Sequence, residues 1–392
     1  MTLALALFAA GACRIETPDK GDLSAAPGAA VRIAVLSERQ GPHAAEGQGI
    51  VNAALLAAER AGAVRGHPIE VTVHDGGCDP AASLATVAEL ASDPRLVGIV
   101  GPICSAACVA VAGTLDKAAV AMVSPRCTDI AVTRQGYNVV FRTAWTDALE
   151  AAATAKLAWE HLKVRKVFVV NDGTVYSRGL RDAFRLFFGK ENLAGNEEAL
   201  IGSEDYGPVI RAITKSRAGM VYYAGFAEDA ARFVRQLRAA GVALPVAVPD
   251  AAKDAGLFIE AAGGAAEGVY VTEVQLERDE RERLFVADYR KRWGAEPPAF
   301  AAEAYDATRA LIEAIATAGS AGGGRLVADR RDLVDAVKET DLRGATGRLQ
   351  FLRNGDRAEG AAVRVLRVEG GHFVPDRVIR LDEKRTRSAS PP

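Results

Sequence analysis

The chain has 392 residues, 49% hydrophobic, 25% charged and 6% aromatic. At about 150 residues per domain this is globular material for more than one core, and it excludes a disordered or collagen-like chain. Lys+Arg 48 against Asp+Glu 50 leaves a net charge of −2, which removes any global drive toward nucleic acid or an anionic membrane surface. With five His and neither an HExxH pair nor a CxxC…CxxC set, no metal centre and no cofactor are expected.

In chain order, Leu3–Ala12 is an apolar run ending in small residues. It is far shorter than the roughly 20 residues a spanning helix needs, and residues 1–13 read as an export signal. The segment Ala10-Gly11-Ala12-Cys13 resembles a lipoprotein signal, in which Cys13 becomes the lipid-bearing first residue; a plain secretory signal is the other reading. Residues 14–30, polar with Pro18, Gly21, Pro27 and Gly28, read as a tether. The remaining Cys78, Cys104, Cys108 and Cys127 form an even set, as in an exported protein with two disulfides, and three pairings are open to them. Four free buried thiols are the alternative.

Short β-branched runs then alternate with helical patterns. Strands are expected near Val31–Ser37, Ile69–Asp75, Leu96–Gly101, Val120–Ser124, Lys166–Asn171, Gly219–Ala224, Pro245–Val248 and Val269–Val274. Helices are expected at Ala44–Ala61, Pro80–Ser92, Ser105–Lys117, Asp147–Leu162, Ala227–Ala240, Glu280–Trp293 and Phe300–Ala318. This alternation predicts an α/β fold of two doubly wound parallel-sheet lobes rather than one very wide sheet. Arg348–Leu352, the Asn354-Gly355 turn and Ala362–Val368 predict a hairpin, with a further strand near Val378. The charged, Ser/Pro-rich tail over residues 383–392 is expected to be disordered.

Open α/β sheets bind ligands beyond the carboxyl ends of their strands. Those ends carry Ser37 to Gln48, Asp75 to Asp79, Cys104-Ser105, Ser124 to Thr128, Asn171 to Tyr176, Gly225-Phe226 and Asp250. Ser105 opens a helix after the Gly101-Pro102-Ile103-Cys104 turn, where a hydroxyl and free N–H groups make an anion site, and Thr128 adds a second hydroxyl. Asp250, from the other lobe, offers a carboxylate to an ammonium, so the pair suits a zwitterion such as a free amino acid. Taken singly, Ser105 and Thr128 also read as helix caps, Asp250 as a solvated turn residue, and Tyr176, Phe226 and Phe300 as packing. No GxSxG elbow, GxxxxGK[ST] loop or complete GxGxxG occurs, so no enzyme is predicted; a nucleophile at Cys104 or Cys127 would need His43 or His74 nearby.

A series of motifs runs along the body: Ile33-Ala34-Val35 with Gly41-Pro42, His74-Asp75 through Cys78-Asp79-Pro80, Gly101 to Ser105 and Ser124-Pro125. Gly136-Tyr137 with Phe141-Arg142-Thr143, Tyr176 to Gly179, Val221-Tyr222-Tyr223 and Pro249-Asp250 complete it. From about Val31 to about Leu381 their order resembles the periplasmic leucine/isoleucine/valine-binding protein family. The resemblance implies a periplasmic or extracytoplasmic receptor that closes two lobes over an amino acid and presents it to an ABC permease in the membrane. A ligand-sensing regulator of the same fold is the alternative. Lobes of 31–143 plus 272–343 and 144–271 plus 344–382 follow, joined by a three-segment hinge near Thr143–Thr146, Val271–Val274 and Leu342–Thr346. By position, Ser105 and Thr128 take the ligand carboxylate with backbone near Cys104 and Arg126, Asp250 takes the amine, and Tyr176, Phe226 and Phe300 line the pocket. Cys78 and Cys104 match the family disulfide, which leaves Cys108 to pair with Cys127. Glu46 and Arg126 depart from the family pattern by placing charge where leucine needs an apolar wall, with Cys127 following Arg126 on the same loop. The two pair as a latch across the cleft mouth, or Arg126 meets a second anionic group on the ligand, or both face solvent.

Overall fold

The computed structural model describes residues 22–275, 280–358 and 362–381. The expected signal with Cys13, the first part of the tether and the C-terminal tail lie outside the described residues. The tether reading is corrected from Asp22 onward, because Leu23–Ala25 forms strand β1 with Leu23 and Ala25 fully buried.

The chain then forms β2 (Val31–Leu36), α1 (Ala44–Ala61), β3 (Ala63–Val64), β4 (His67–His74), α2 (Pro80–Leu90), β5 (Leu96–Val100), α3 (Ser105–Ala118), β6 (Ala121–Ser124) and β7 (Val140–Arg142). The strands make one sheet in the order β3-β4-β2-β5-β6-β7, parallel except at the β3 edge. Strands β2 and β5 read Val-Arg-Ile-Ala-Val-Leu and Leu-Val-Gly-Ile-Val, the nearly continuous apolar runs of strands covered by helices on both faces. Helix α2 begins where Asp79 accepts the N–H groups of Ala81 and Ala82 and Pro80 fills the first helical position.

A second unit follows: α4 (Asp147–Lys156), β8 (Val167–Asn171), α5 (Val175–Phe188), β9 (Leu193–Glu198), α6 (Gly207–Lys215), β10 (Met220–Ala224), α7 (Ala227–Ala239), β11 (Val246–Val248) and β12 (Tyr270–Gln275). Helix α8 (Glu280–Trp293), α9 (Ala301–Ala318), β13 (Ser320–Gly322), β14 (Arg325–Ala328), α10 (Arg330–Lys338), β15 (Asp341–Gly344) and β16 (Gly347–Gln350) come next. Strands β17 (Ala362–Glu369) and β18 (His372–Ile379) end the described chain. The second sheet runs β18-β17-β12-β11-β10-β8-β9, parallel from β12 to β9, with β17 and β18 added antiparallel. Phe285 and Tyr289 of α8, the apolar face of α9 and Leu333, Val334 and Val337 of α10 join the core of the first sheet, and β14 pairs with β1. The chain thus visits the first unit twice and the second unit twice, and both units are α/β.

The crossings differ in detail from the sequence reading. Thr272 to Gln275 pair with Val365 to Ala362 inside the second sheet, so Val271–Val274 is strand β12 throughout. Arg348–Gln350 pairs backward with Asp341–Leu342-Arg343 rather than forward with Ala362–Val368, which pairs with β12 and β18. The predicted hairpin therefore splits, and among the described residues an isolated bridge from Phe351 to Arg357 closes the Asn354-Gly355 turn. Hydrogen bonding explains this: on α9, buried Asp306 accepts N–H groups from Ala345 and Thr346 and the Thr346 hydroxyl, which fixes the β15–β16 turn against the first unit. Buried Arg357 then ties Thr143 O to Thr346, joining two of the connecting segments.

Candidate functional site

Strand ends β5 and β6 of the first unit meet strand ends β8, β10 and β11 of the second. Ser105 is the first residue of α3, so its hydroxyl lies beside backbone N–H groups that have no partner within the helix. It is 6% exposed and Thr128 5% exposed, and the Asp129 N–H donates to Ser105 Oγ at 3.3 Å. Ser124 shapes the loop between them: its hydroxyl donates to Pro102 O and accepts the Cys127 N–H. Disulfides Cys78–Cys104 and Cys108–Cys127, with Cα–Cα separations of 4.7 and 6.6 Å, staple this loop and the start of α3. The first pairing is the one the family resemblance implied, and the second joins the two cysteines it left over. Glu38, His43, Cys78 and Cys104 bring potential ligand atoms within 4.8 Å of one another, but the sulfurs are spent in a disulfide and supply no thiolate to a metal.

Across from Ser105 and Thr128 lies Asp250, just after β11. Tyr176 of α5 donates its hydroxyl to Asp250 Oδ1 at 3.2 Å, and Phe226, at the N-cap of α7, stands 5.1 Å from the Tyr176 ring. His43 of the first unit lies 5.5 Å from Phe226, so the two units touch here. Phe300 precedes α9 at a left-handed φ of 64° and stacks on Trp145 at 5.4 Å. The structure therefore brings Ser105, Thr128, Cys104, Arg126, Cys127, Glu46, Tyr176, Phe226, Phe300 and Asp250 to the facing strand ends and the loops around them.

Helix α4 adds side chains that the sequence reading passed over. Asp147, 1% exposed, donates its backbone N–H to Thr128 O, and neither carboxylate oxygen has a hydrogen bond of good geometry among the described residues. Glu150, fully buried one turn later, accepts the Asp250 N–H at 2.6 Å and the Thr272 hydroxyl at 2.7 Å on one oxygen, while the other oxygen has no partner among the described residues. Burial, and then the neighbouring carboxylates, push both acids well above their ordinary range. Burial likewise raises Asp250, against the pull of the Tyr176 hydroxyl and Arg126. Trp145 Nε1 is another buried group without a partner among the described residues. The available signal was position: Trp145 to Glu150 open the first helix after the crossing, where a strand-end reading never looks.

Arg126 and Glu46 are placed by geometry. Arg126 Nε donates to Glu46 Oε2 at 2.8 Å, its terminal nitrogens reach Ile103 O at 3.0 Å and His43 Nδ1 at 3.2 Å, and its guanidinium carbon lies 5.5 Å from the Phe300 ring centre. Burial and then the Arg126 charge lower His43 to about 4, which leaves the imidazole neutral and able to accept. Glu46, His43, Ile103 and Arg126 all belong to the first unit, so the pair forms within one unit and does not bridge the two. Solvent exposure is excluded for Arg126, whose side chain is 10% accessible.

Residues 30–372 match the family described as periplasmic binding protein. The leucine-specific-binding protein of Salmonella typhimurium is 27% identical over 247 residues, 62% of this chain and 66%, just under two thirds, of that protein. The leucine-, isoleucine-, valine-, threonine-, and alanine-binding protein of Pseudomonas aeruginosa is 24% identical over 332 residues, covering 83% of this chain and 87% of its own. A leucine binding protein from Thermotoga maritima superposes with a TM-score of 0.77 at 27% identity, over 89% of this chain and 99% of that one. A branched-chain amino acid transporter substrate binding protein from Streptococcus pneumoniae, solved with isoleucine, gives 0.74 at 22% identity over 90% and 100%. With a match across nearly its whole described length and an α/β body built on two large sheets, the chain belongs to the periplasmic binding protein family.

Proposed function

We propose that this protein is an extracytoplasmic solute-binding protein of an ABC importer that takes an amino acid between its lobes. The observation that carries the reading is that the Ser105 hydroxyl, at the positive N-terminus of α3, and the Thr128 loop lie on the first unit where it meets the second through His43 and Phe226, with the Asp250 carboxylate held by Tyr176 at the same contact. The ligand carboxylate sits on Ser105, Thr128 and nearby backbone N–H groups, and its ammonium on Asp250 beside Tyr176. Capture and release of the ligand involve no covalent chemistry. Members of this family are solute-binding proteins, and the ligand stabilises the closed arrangement by as much as it binds that arrangement better. The lobes are residues 22–143 with 280–357, and residues 147–275 with 362–381, and closure turns on the segments between them. The closed form is what a membrane permease recognises, with the protein held at the extracytoplasmic face through a lipid on Cys13. No described helix is long and apolar enough to cross a membrane.

A thermal-shift titration tests the reading, since a ligand that binds the folded state alone raises the melting temperature by mass action. At least one α-amino acid should shift the curve, the matching amine and carboxylate analogues should not, and Asp250→Ala should abolish the shift. An unchanged shift in Asp250→Ala removes the ammonium site.

A further inference from the structure

Which side chain the ligand carries is set by what already fills the space next to its seat. Arg126 lies two residues from Thr128 and contacts Cys104 Sγ, the neighbour of Ser105, at 3.7 Å. It is held on every side: Glu46 at Nε, Ile103 O and His43 at the terminal nitrogens, and Phe300 against its plane. A guanidinium bonded at Nε and at both terminal nitrogens and backed by an aromatic ring is fixed in place rather than a mobile surface chain. Its partners sit around the seat: His43 packs on Phe226, Phe226 on Tyr176, and Tyr176 bonds Asp250.

From this packing we infer that Arg126 and Glu46 form a charged plug in the side-chain pocket, and that the ligand is an α-amino acid with a small or short polar side chain, of the glycine, alanine and serine class. The inference rests on the proposed amino-acid site and refines it. A four-carbon apolar side chain at this place has two options, both unfavourable. It displaces Arg126 and leaves Glu46 and the guanidinium without their partners in a mostly buried site, or it packs against a charged pair that it cannot hydrogen-bond. A methyl or hydroxymethyl group needs neither.

Calorimetric titration of the full chain with alanine, serine and leucine tests this, alongside the double variant Glu46→Ala/Arg126→Ala, which removes both charges together. In the wild type, alanine or serine should bind at least about tenfold more tightly than leucine. In the double variant the preference should narrow or reverse, with leucine gaining about tenfold or more relative to alanine. A second pair, Glu46→Gln/Arg126→Met, removes the charge while keeping most of the volume; leucine should gain in it as well, and this pair carries the test if the first melts early. Equal binding of leucine and alanine by the wild type, or no gain for leucine in the double variant, overturns the plug. Failure of every amino acid to bind any variant instead overturns the amino-acid site itself, and the plug with it.

Discussion

Arg142 has no exposed surface, yet it carries a full charge at the end of β7. Its guanidinium bonds Asp356 at 2.7 Å, the carbonyls of Cys127 and Asp129, and the Thr133 hydroxyl, so it knits the seat loop to the segment after β16. Removing one partner of such a pair strands the other, which costs about 3–5 kcal/mol, more than most single substitutions. Asp356→Ala should therefore lower the melting temperature by roughly 10 °C at neutral pH. Burial alone would raise Asp356, but Arg142, Thr133 and Asn354 hold it below the ordinary 3.8. Its contribution is thus complete above about pH 4 and is lost as pH falls through the depressed value, so the gap between wild type and variant should narrow in acid. A melting series from pH 7 to pH 2 with a constant gap would contradict this. At this scale the sequence revealed the hydroxyls and the carboxylate at strand ends, because their chemistry is local. It did not reveal Trp145, Asp147 and Glu150, whose interest comes from buried polar atoms, among them Trp145 Nε1 and one Glu150 oxygen, left without a hydrogen bond of good geometry among the described residues, a property of packing.

The elements were more legible than the connections between them. Helix α1 and helix α8 fall on the expected residues, and strands such as β5 and β10 within one residue, because apolar runs and helical periodicity are properties of short windows. The β15–β16 pairing was misassigned because its cause, the acceptance of Ala345 and Thr346 by Asp306, comes from another helix. Helix α9 also brings Glu303 to the crossing segment, where its backbone carbonyl accepts the Thr143 hydroxyl at 2.9 Å. Burial raises the Glu303 carboxyl from 4.5 to about 7, with Asp306 and Glu282 adding to the effect and Arg357 opposing it. A raised value means the folded protein holds that proton more tightly than the unfolded chain. The stability it contributes is whole below about pH 4.5 and is lost as pH rises through 7. Glu303→Gln, which copies the neutral acid, should melt within about a degree of the wild type at pH 4.5 and several degrees higher at pH 8. Melting curves that differ equally at both values would show that Glu303 does not titrate there.

Closure of the whole molecule is tested at Gly179, on α5, because there a glycine of the second unit lies against the Asp129 carboxylate of the first. A Cβ at this position would stand 1.8 Å from Asp129 Oδ2. Asp129 cannot easily yield, since its other oxygen caps a turn by accepting the Ala131 N–H at 2.6 Å and the residue is buried. Yet glycine within a helix is intrinsically worse than alanine by about 0.5–1 kcal/mol. The two effects have opposite signs and act on different states: helix propensity favours Gly179→Ala in both arrangements, whereas the clash exists only with the lobes together. The variant should therefore raise the melting temperature of the ligand-free protein by a few degrees and weaken amino-acid binding by about tenfold. Small-angle scattering should show the wild type contracting on addition of ligand, with the variant staying extended at the same concentration. A ligand binds the closed form by its intrinsic affinity reduced by the fraction of protein able to close, so the loss in affinity measures the shift in that equilibrium directly. If Gly179→Ala binds as tightly as the wild type, the Gly179–Asp129 contact is not part of the ligand-bound arrangement, and closure must bring the lobes together along a different face.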